Sequence, residues 1–110
     1  MIGPVPTIGR TVHYTLTQAD ADAINARRAG ATKLNAAGVT LASQNLGALI
    51  HTGNRAEEGD VYPMVIVRVW GDRPESAVNG QVHLDGNDLH WVTSVQCGSG
   101  PRYWTWPVLP

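Results

Sequence analysis

The side chains with the most chemistry to offer are four histidines, His13, His51, His83 and His90, and the single cysteine, Cys97. Their most demanding use would be a zinc site, which needs three or four such groups converging, normally with short local spacings. No His-x-x-x-His or Cys-x-x-Cys occurs. His83 and His90 can face each other across a hairpin with a four-residue loop, but two histidines on an exposed sheet face read as solvated. Neither metal nor cofactor is expected. The acids Glu57, Glu58, Asp60, Asp85 and Asp88 are candidates for proton transfer. Asp85 and Asp88 better suit a turn, where aspartate bonds its own backbone, and the other three lie around Gly59 in a polar loop. Ser94 and Cys97 lack a Gly-x-Ser-x-Gly setting, so no catalytic residue is expected and the chain reads as non-enzymatic.

Binding is the better use of these residues. Asn79, Gln81, His83 and His90 present amides and imidazoles along one face of a hairpin. Arg68, Arg73 and Arg102 supply charge, and Trp70, Trp104 and Trp106 supply stacking surfaces. Aromatic faces, a guanidinium fork and side-chain amides together hold a nucleobase and a phosphate. The predicted ligand-binding set is therefore Arg68, Trp70, Asn79, Gln81, His83, His90, Arg102, Trp104 and Trp106. Phe is absent, whereas Trp and Tyr number four and three, the aromatics suited to surfaces that are apolar on one side and wet on the other.

Composition narrows the partners. The chain of 110 residues fits one domain with one modest core. Its net charge of −1 argues against general DNA or RNA binding, which normally draws on a basic excess. A lone cysteine fits a reducing compartment. No apolar run is long enough for a bilayer and no signal-peptide pattern opens the chain, so a soluble intracellular domain is expected.

The elements that must position these groups follow from periodicity. Residues 1–8 read as an extended, weakly ordered lead-in. Gly9 to Leu16 alternates Val12, Tyr14 and Leu16 with Thr11, His13 and Thr15, a half-buried strand. Thr17-Gln-Ala-Asp20 resembles a capping box opening a helix that carries Arg27 and Arg28 near its end and closes at Gly30. With Ile24 its only large apolar side chain, this helix is expected on the surface or against a partner chain. Residues 30–47 read as a long variable loop, and Ala48 to Thr52 as a short strand before the Gly53-Asn54 turn. Asp60 to Gly71 is the clearest strand, with Val65, Val67 and Val69 on one face and Met64, Ile66, Arg68 and Trp70 on the other. Pro63 belongs at its edge or entrance. Val78 to Val95 reads as a hairpin turning at Asp85-Gly86. A loop of two or four residues places Val78, Val82, Leu84, Leu89 and Trp91 on the dry face, and Asn79, Gln81, His83 and His90 on the wet one. Cys97 to Pro101 is a turn, and Arg102 to Trp106 a last short strand. The predicted fold is mainly β (α+β): a small SH3-like open barrel, or an antiparallel sheet, with one surface helix inserted after the first strand.

Six segments carry a resemblance: Gly9-Arg-Thr-Val-His-Tyr14, Val67-Arg-Val-Trp-Gly71, Val78-Asn-Gly-Gln-Val82, Leu84-Asp-Gly-Asn-Asp88, Trp91-Val-Thr-Ser-Val95 and Trp104-Thr-Trp-Pro107. As a set they resemble small uncharacterised proteins encoded by phages of actinobacteria. The resemblance implies a viral protein made in the host bacterial cytoplasm and assigns no site. Such proteins suggest two roles: a homo-oligomeric sponge that sequesters a nucleotide-derived immune signal, or a virion component such as a capsid decoration or head-completion protein. The aromatic, arginine- and amide-bearing surface favours the sponge. A thinly apolar helix able to pack between subunits favours a homo-oligomer.

Overall fold

The computed structural model describes residues 3–36 and 52–108. The chain forms β1 (Thr11–Thr15), α1 (Gln18–Ala36), β2 (Val61–Val69), β3 (Val78–His83), β4 (Leu89–Cys97) and β5 (Tyr103–Thr105). The five strands follow one another around a closed barrel. Neighbours pair antiparallel except β4 with β5, which run parallel through Gln96↔Tyr103 and Cys97↔Trp104. Of the two predicted architectures the barrel forms, and β5 closes it by bridging β4 to β1. Among the described residues, no helix is long and apolar enough to cross a membrane.

The alternation predicted for β1 is present: Val12, Tyr14 and Leu16 are fully buried. Inside the barrel, rows of side chains run across the strands. Met64, Val82 and His90 form one row, and Ile66, Gly80 and Val92 the next. The hairpin loop is the five residues Leu84–Asp88, with His83 opposite Leu89. This odd length inverts the predicted face of β4, because side chains alternate with period two. Leu89 and Trp91 therefore point to solvent, and His90 and Val92 point in.

A second departure arises at paired bulges. On β2 the register shifts between Ile66 and Arg68, and on β4 it shifts where Thr93 and Ser94 together face Asn79. Past these points Val69, Val78 and Val95 form an inward row, while Arg68 and Trp70 face out, no longer on the face of Met64 and Ile66. Pro63 pairs with His13 and lies just beyond the β2–β3 ladder, which begins at Met64, so its missing N–H costs no bond there.

The helix also differs from expectation. Thr17 and Asp20 make the reciprocal capping bonds, each 3.0 Å. Gly30 does not end it, and the helix continues to Ala36, so Arg27 and Arg28 fall mid-helix rather than at its negative end. Ala21 and Ile24 are buried in the core, and Arg28 is buried as well. Far from lying loose on the surface, α1 packs where Tyr14, His90 and the β3–β4 loop meet. Of the predicted loop 30–47, residues 30–36 are helical; the remainder, and the predicted strand from Ala48, lie outside the described residues except Thr52, which bridges Gly86. The lead-in is docked: Pro6 is fully buried, and the Gly9 amide donates to the Ile66 carbonyl at 2.8 Å.

Gly80 tests the inner packing. A Cβ there would stand 2.4 Å from Met64 Cγ and 2.5 Å from Met64 Sδ, inside a filled row. Gly80→Ala should therefore cost about 1–3 kcal/mol, the usual penalty for overpacking, read as a lower urea midpoint with an unchanged slope.

Candidate functional site

Two polar arrangements emerge, one largely buried between α1 and the barrel and one open to solvent. The first ties α1 to the barrel, with Arg27 exposed at its rim. Arg27 has only donors to offer, and its Nη2 lies 3.1 Å from His90 Nδ1; that ring nitrogen therefore accepts. His90 Nε2–H then donates to Asp20 Oδ1 at 2.9 Å. The other oxygen of Asp20 accepts from the Tyr14 hydroxyl and the Thr17 amide. Burial opposes the charge on Asp20, but hydrogen bonds from His90, the Thr17 amide and Tyr14 prevail and hold its carboxyl well below the usual range. The Tyr14 phenol is pushed up in turn, by burial and then by the Asp20 carboxylate it donates to.

Next to Arg27 on α1, Arg28 grips Asp88 with two bonds of 2.8 and 3.1 Å. It also donates to the carbonyls of Asn54 and Asp85. The Arg28 bond and charge lower the Asp88 carboxyl against the opposing effect of burial. Asp85 accepts from the Asn54 amide. The two loop aspartates thus bind other segments of the fold in addition to shaping a turn.

Asn79 is the other internal junction. Its side-chain oxygen accepts from Trp70 Nε1 at 2.9 Å, Thr93 Oγ1 at 2.9 Å and the Ser94 amide at 2.8 Å. This one atom joins the end of β2 to the bulge of β4 across β3. Ser94 is held there in the left-handed region, with φ 54°.

The open arrangement begins at Ser94. A cleft of about 350 Å³ is lined by Ser94, Gln96, Pro101, Arg102 and Tyr103. Arg102 is the other non-glycine residue with positive φ among the described residues, at 76°, and its amide donates to the Thr15 carbonyl at 2.9 Å. Both left-handed non-glycine residues therefore line the same cleft. Such conformations are sparsely populated and persist only where their surroundings fix them. The Tyr103 ring lies so close to Gly98 that a Cβ there would meet its Cδ1 at 2.6 Å. The cleft thus offers a guanidinium, an aromatic face, a hydroxyl and an amide.

The predicted binding residues are dispersed. Asn79 and His90 are buried and bonded within the fold, and Trp104 is fully buried, with Nε1 donating to the Ser76 carbonyl. None of the three is available to a ligand. Trp106 packs edge-on to Trp104 and carries the Arg10 guanidinium 4.7 Å above its ring. Arg68 lies 4.2 Å over the exposed Trp70 ring, and Gln81 and His83 are exposed on the same outer wall. Arg102 belongs to the cleft, and Arg73 to the β2–β3 loop, where its amide donates to Ser76. His51 lies outside the described residues. Ser94, Gln96 and Tyr103 did not stand out as site residues in the sequence. Strand parity over 103–105 was the available signal, since a core Trp104 turns Tyr103 outward.

Burial, and then the charge of Glu75, push the Cys97 thiol up, away from a reactive thiolate. Among the described residues, no three metal-binding side chains converge.

Asn79→Ala removes the acceptor of three donors and should cost about 1–3 kcal/mol in chemical denaturation, the range for losing several part-buried hydrogen bonds together. Acid should act on Asp20 and Asp88. Both are depressed when folded, so their stabilisation is complete above the ordinary value of 3.8 and is lost as pH falls below it. The drop in urea midpoint from pH 5 to pH 3 should be smaller in Asp88→Asn, whose starting stability is lower; an equal drop would show that this pair is not its source. No protein-family model matches the chain, and neither a curated protein nor a solved structure matches it.

Proposed function

We propose that the protein is a non-catalytic phage accessory protein that binds and sequesters a small nucleotide-type immune signal in the infected cell. The observation that carries this reading is the cleft at Arg102. Its volume of about 350 Å³ lies within the range of small-molecule sites, and it opens directly to solvent. The Arg102 guanidinium bonds to no described residue and can grip a phosphate with two parallel bonds. The Tyr103 ring, partly exposed, offers a stacking face, while Ser94 and Gln96 offer donors and acceptors to a base or ribose. No activated nucleophile borders these groups among the described residues, which suits holding a ligand without converting it. The resemblance to actinobacteriophage proteins supplies the biological setting.

The test is a panel of cyclic dinucleotides, cyclic trinucleotides and ADP-ribose cyclisation products, assayed by calorimetry and then released by heating. At least one member should bind and return unchanged. Arg102→Gln should weaken it about 10- to 100-fold, the worth of one charge-assisted hydrogen bond, while Arg55→Gln on another surface should not. A new product on release would make the protein an enzyme. Failure to bind any member, with the chain found in purified virions by mass spectrometry, would overturn sequestration in favour of a capsid decoration or head-completion role.

A further inference from the structure

The barrel wall is nearly free of charge. The chain has nine carboxylates, and none lies on a strand. Asp20 and Asp22 are on α1, and the other seven lie in the loops before β2, between β2 and β3, and between β3 and β4. The one cation on any strand is Arg68, stacked on Trp70. An uncharged outer wall on so small a domain would ordinarily be dressed in lysine and glutamate to stay in water.

That wall is also apolar where it is most exposed. Across β2, β3 and β4, Trp70 is 51% exposed, Leu89 47% and Trp91 58%. Val65, Gln81 and Trp91 form one outward row, and His83 lies opposite Leu89. Two exposed tryptophans on one face exceed the scatter of single apolar residues that any surface carries.

We propose that this wall is the face on which a second copy of the chain docks. Self-association through one patch sets each charge against its own copy, so a patch without carboxylates and with a single, aromatic-backed cation meets no like-charge penalty across most of its area. The Arg68 guanidinium has a free face for the partner's Trp91 or Trp70, an arrangement that two-fold symmetry makes twice. Pairing by strand addition is closed off, because the ring of five strands leaves no free edge among the described residues. The apolar side of α1, from which a homo-oligomer was first expected, is consumed internally by Ala21 and Ile24. A single-stranded nucleic acid would also use tryptophans, but it draws on several cations along its path, and the wall has one.

Sedimentation equilibrium of the ligand-free protein tests this independently of the nucleotide reading. Wild type at tens of micromolar should sediment at twice the chain mass, and 1 M NaCl should leave that mass unchanged. Trp91→Lys and Leu89→Lys, both at exposed positions, should each sediment as monomers with wild-type circular dichroism. A wild-type monomer across the whole concentration range would overturn the proposal. So would a dimer unchanged by both substitutions, or a monomer that binds an oligo-dT with salt-sensitive affinity.

Discussion

The outer architecture depends on a single acceptor, the side-chain oxygen of Asn79. β3 is the middle strand of the wall, and both of its neighbours carry an extra residue where they pass this position. A bulge leaves a backbone group without its ladder partner, and that group must find another acceptor. Asn79 supplies the missing acceptor to Ser94 and uses its remaining capacity for Trp70 and Thr93. The two bulges are consequently locked to each other, and the barrel's inner rows resume on the far side with Val69, Val78 and Val95. A glycine follows at once: Gly80 lets Met64 fill the space that a side chain would occupy, so the junction is tight on both faces of the strand.

The opposite end of the barrel is held by charge rather than by a bulge. A helix with so little apolar bulk buries too little area for packing alone to fix it. Arg27, Arg28 and Asp20 add what Ala21 and Ile24 cannot, reaching His90 on β4 and Asp88 in the hairpin loop. The penalty of burying Asp20, Arg28 and His90 is offset because each is hydrogen-bonded to more than one partner, and removing one member would strand the others. The clasp therefore fixes the position and rotation of α1 more than it adds net stability.

How much of this could be read in the sequence depended on whether a local period ran unbroken. β1, the capping box at Thr17 and β2 as far as Ile66 were plain, because each obeys one rule over that span, whereas the bulge past Ile66 turned Arg68 and Trp70 to the other face. The hairpin faces were misread because parity depends on loop length: Asp85-Gly86 suggested a two- or four-residue loop, whereas Asp88 is drawn away to Arg28 and five residues are spanned. That one step turned Trp91 out and His90 in. Arg28 looked like a dipole-matched helix end because Gly30 looked like a stop, although glycine within a helix costs only about 1 kcal/mol relative to alanine. Nothing short-range marks the partners of Asn79 or His90. They are contacts across nine or more residues; those of Asn79 come from strands whose bulges are themselves set by packing, and those of His90 from α1.

The four tryptophans show how the fold divides its surfaces. Trp104 fills the core and Trp106 packs edge-on against it, so the aromatic cluster at the chain's end is mostly structural. Trp70 and Trp91 stand on the wall, where hydrophobic burial would favour hiding them. Trp70 already satisfies its indole N–H through Asn79, which leaves its ring with no polar reason to face water. Asn79 thus stands between two surfaces of different character. On one side it sets Ser94 at the mouth of a polar cleft that Arg102 also lines, and on the other it holds Trp70 beside strands that carry no carboxylate. A substitution at this one residue would disturb both, whereas Trp91 is not among the residues lining the cleft, so it and Arg102 can be altered one at a time. The two proposed properties, small-ligand recognition and self-association, therefore rest on separate side chains.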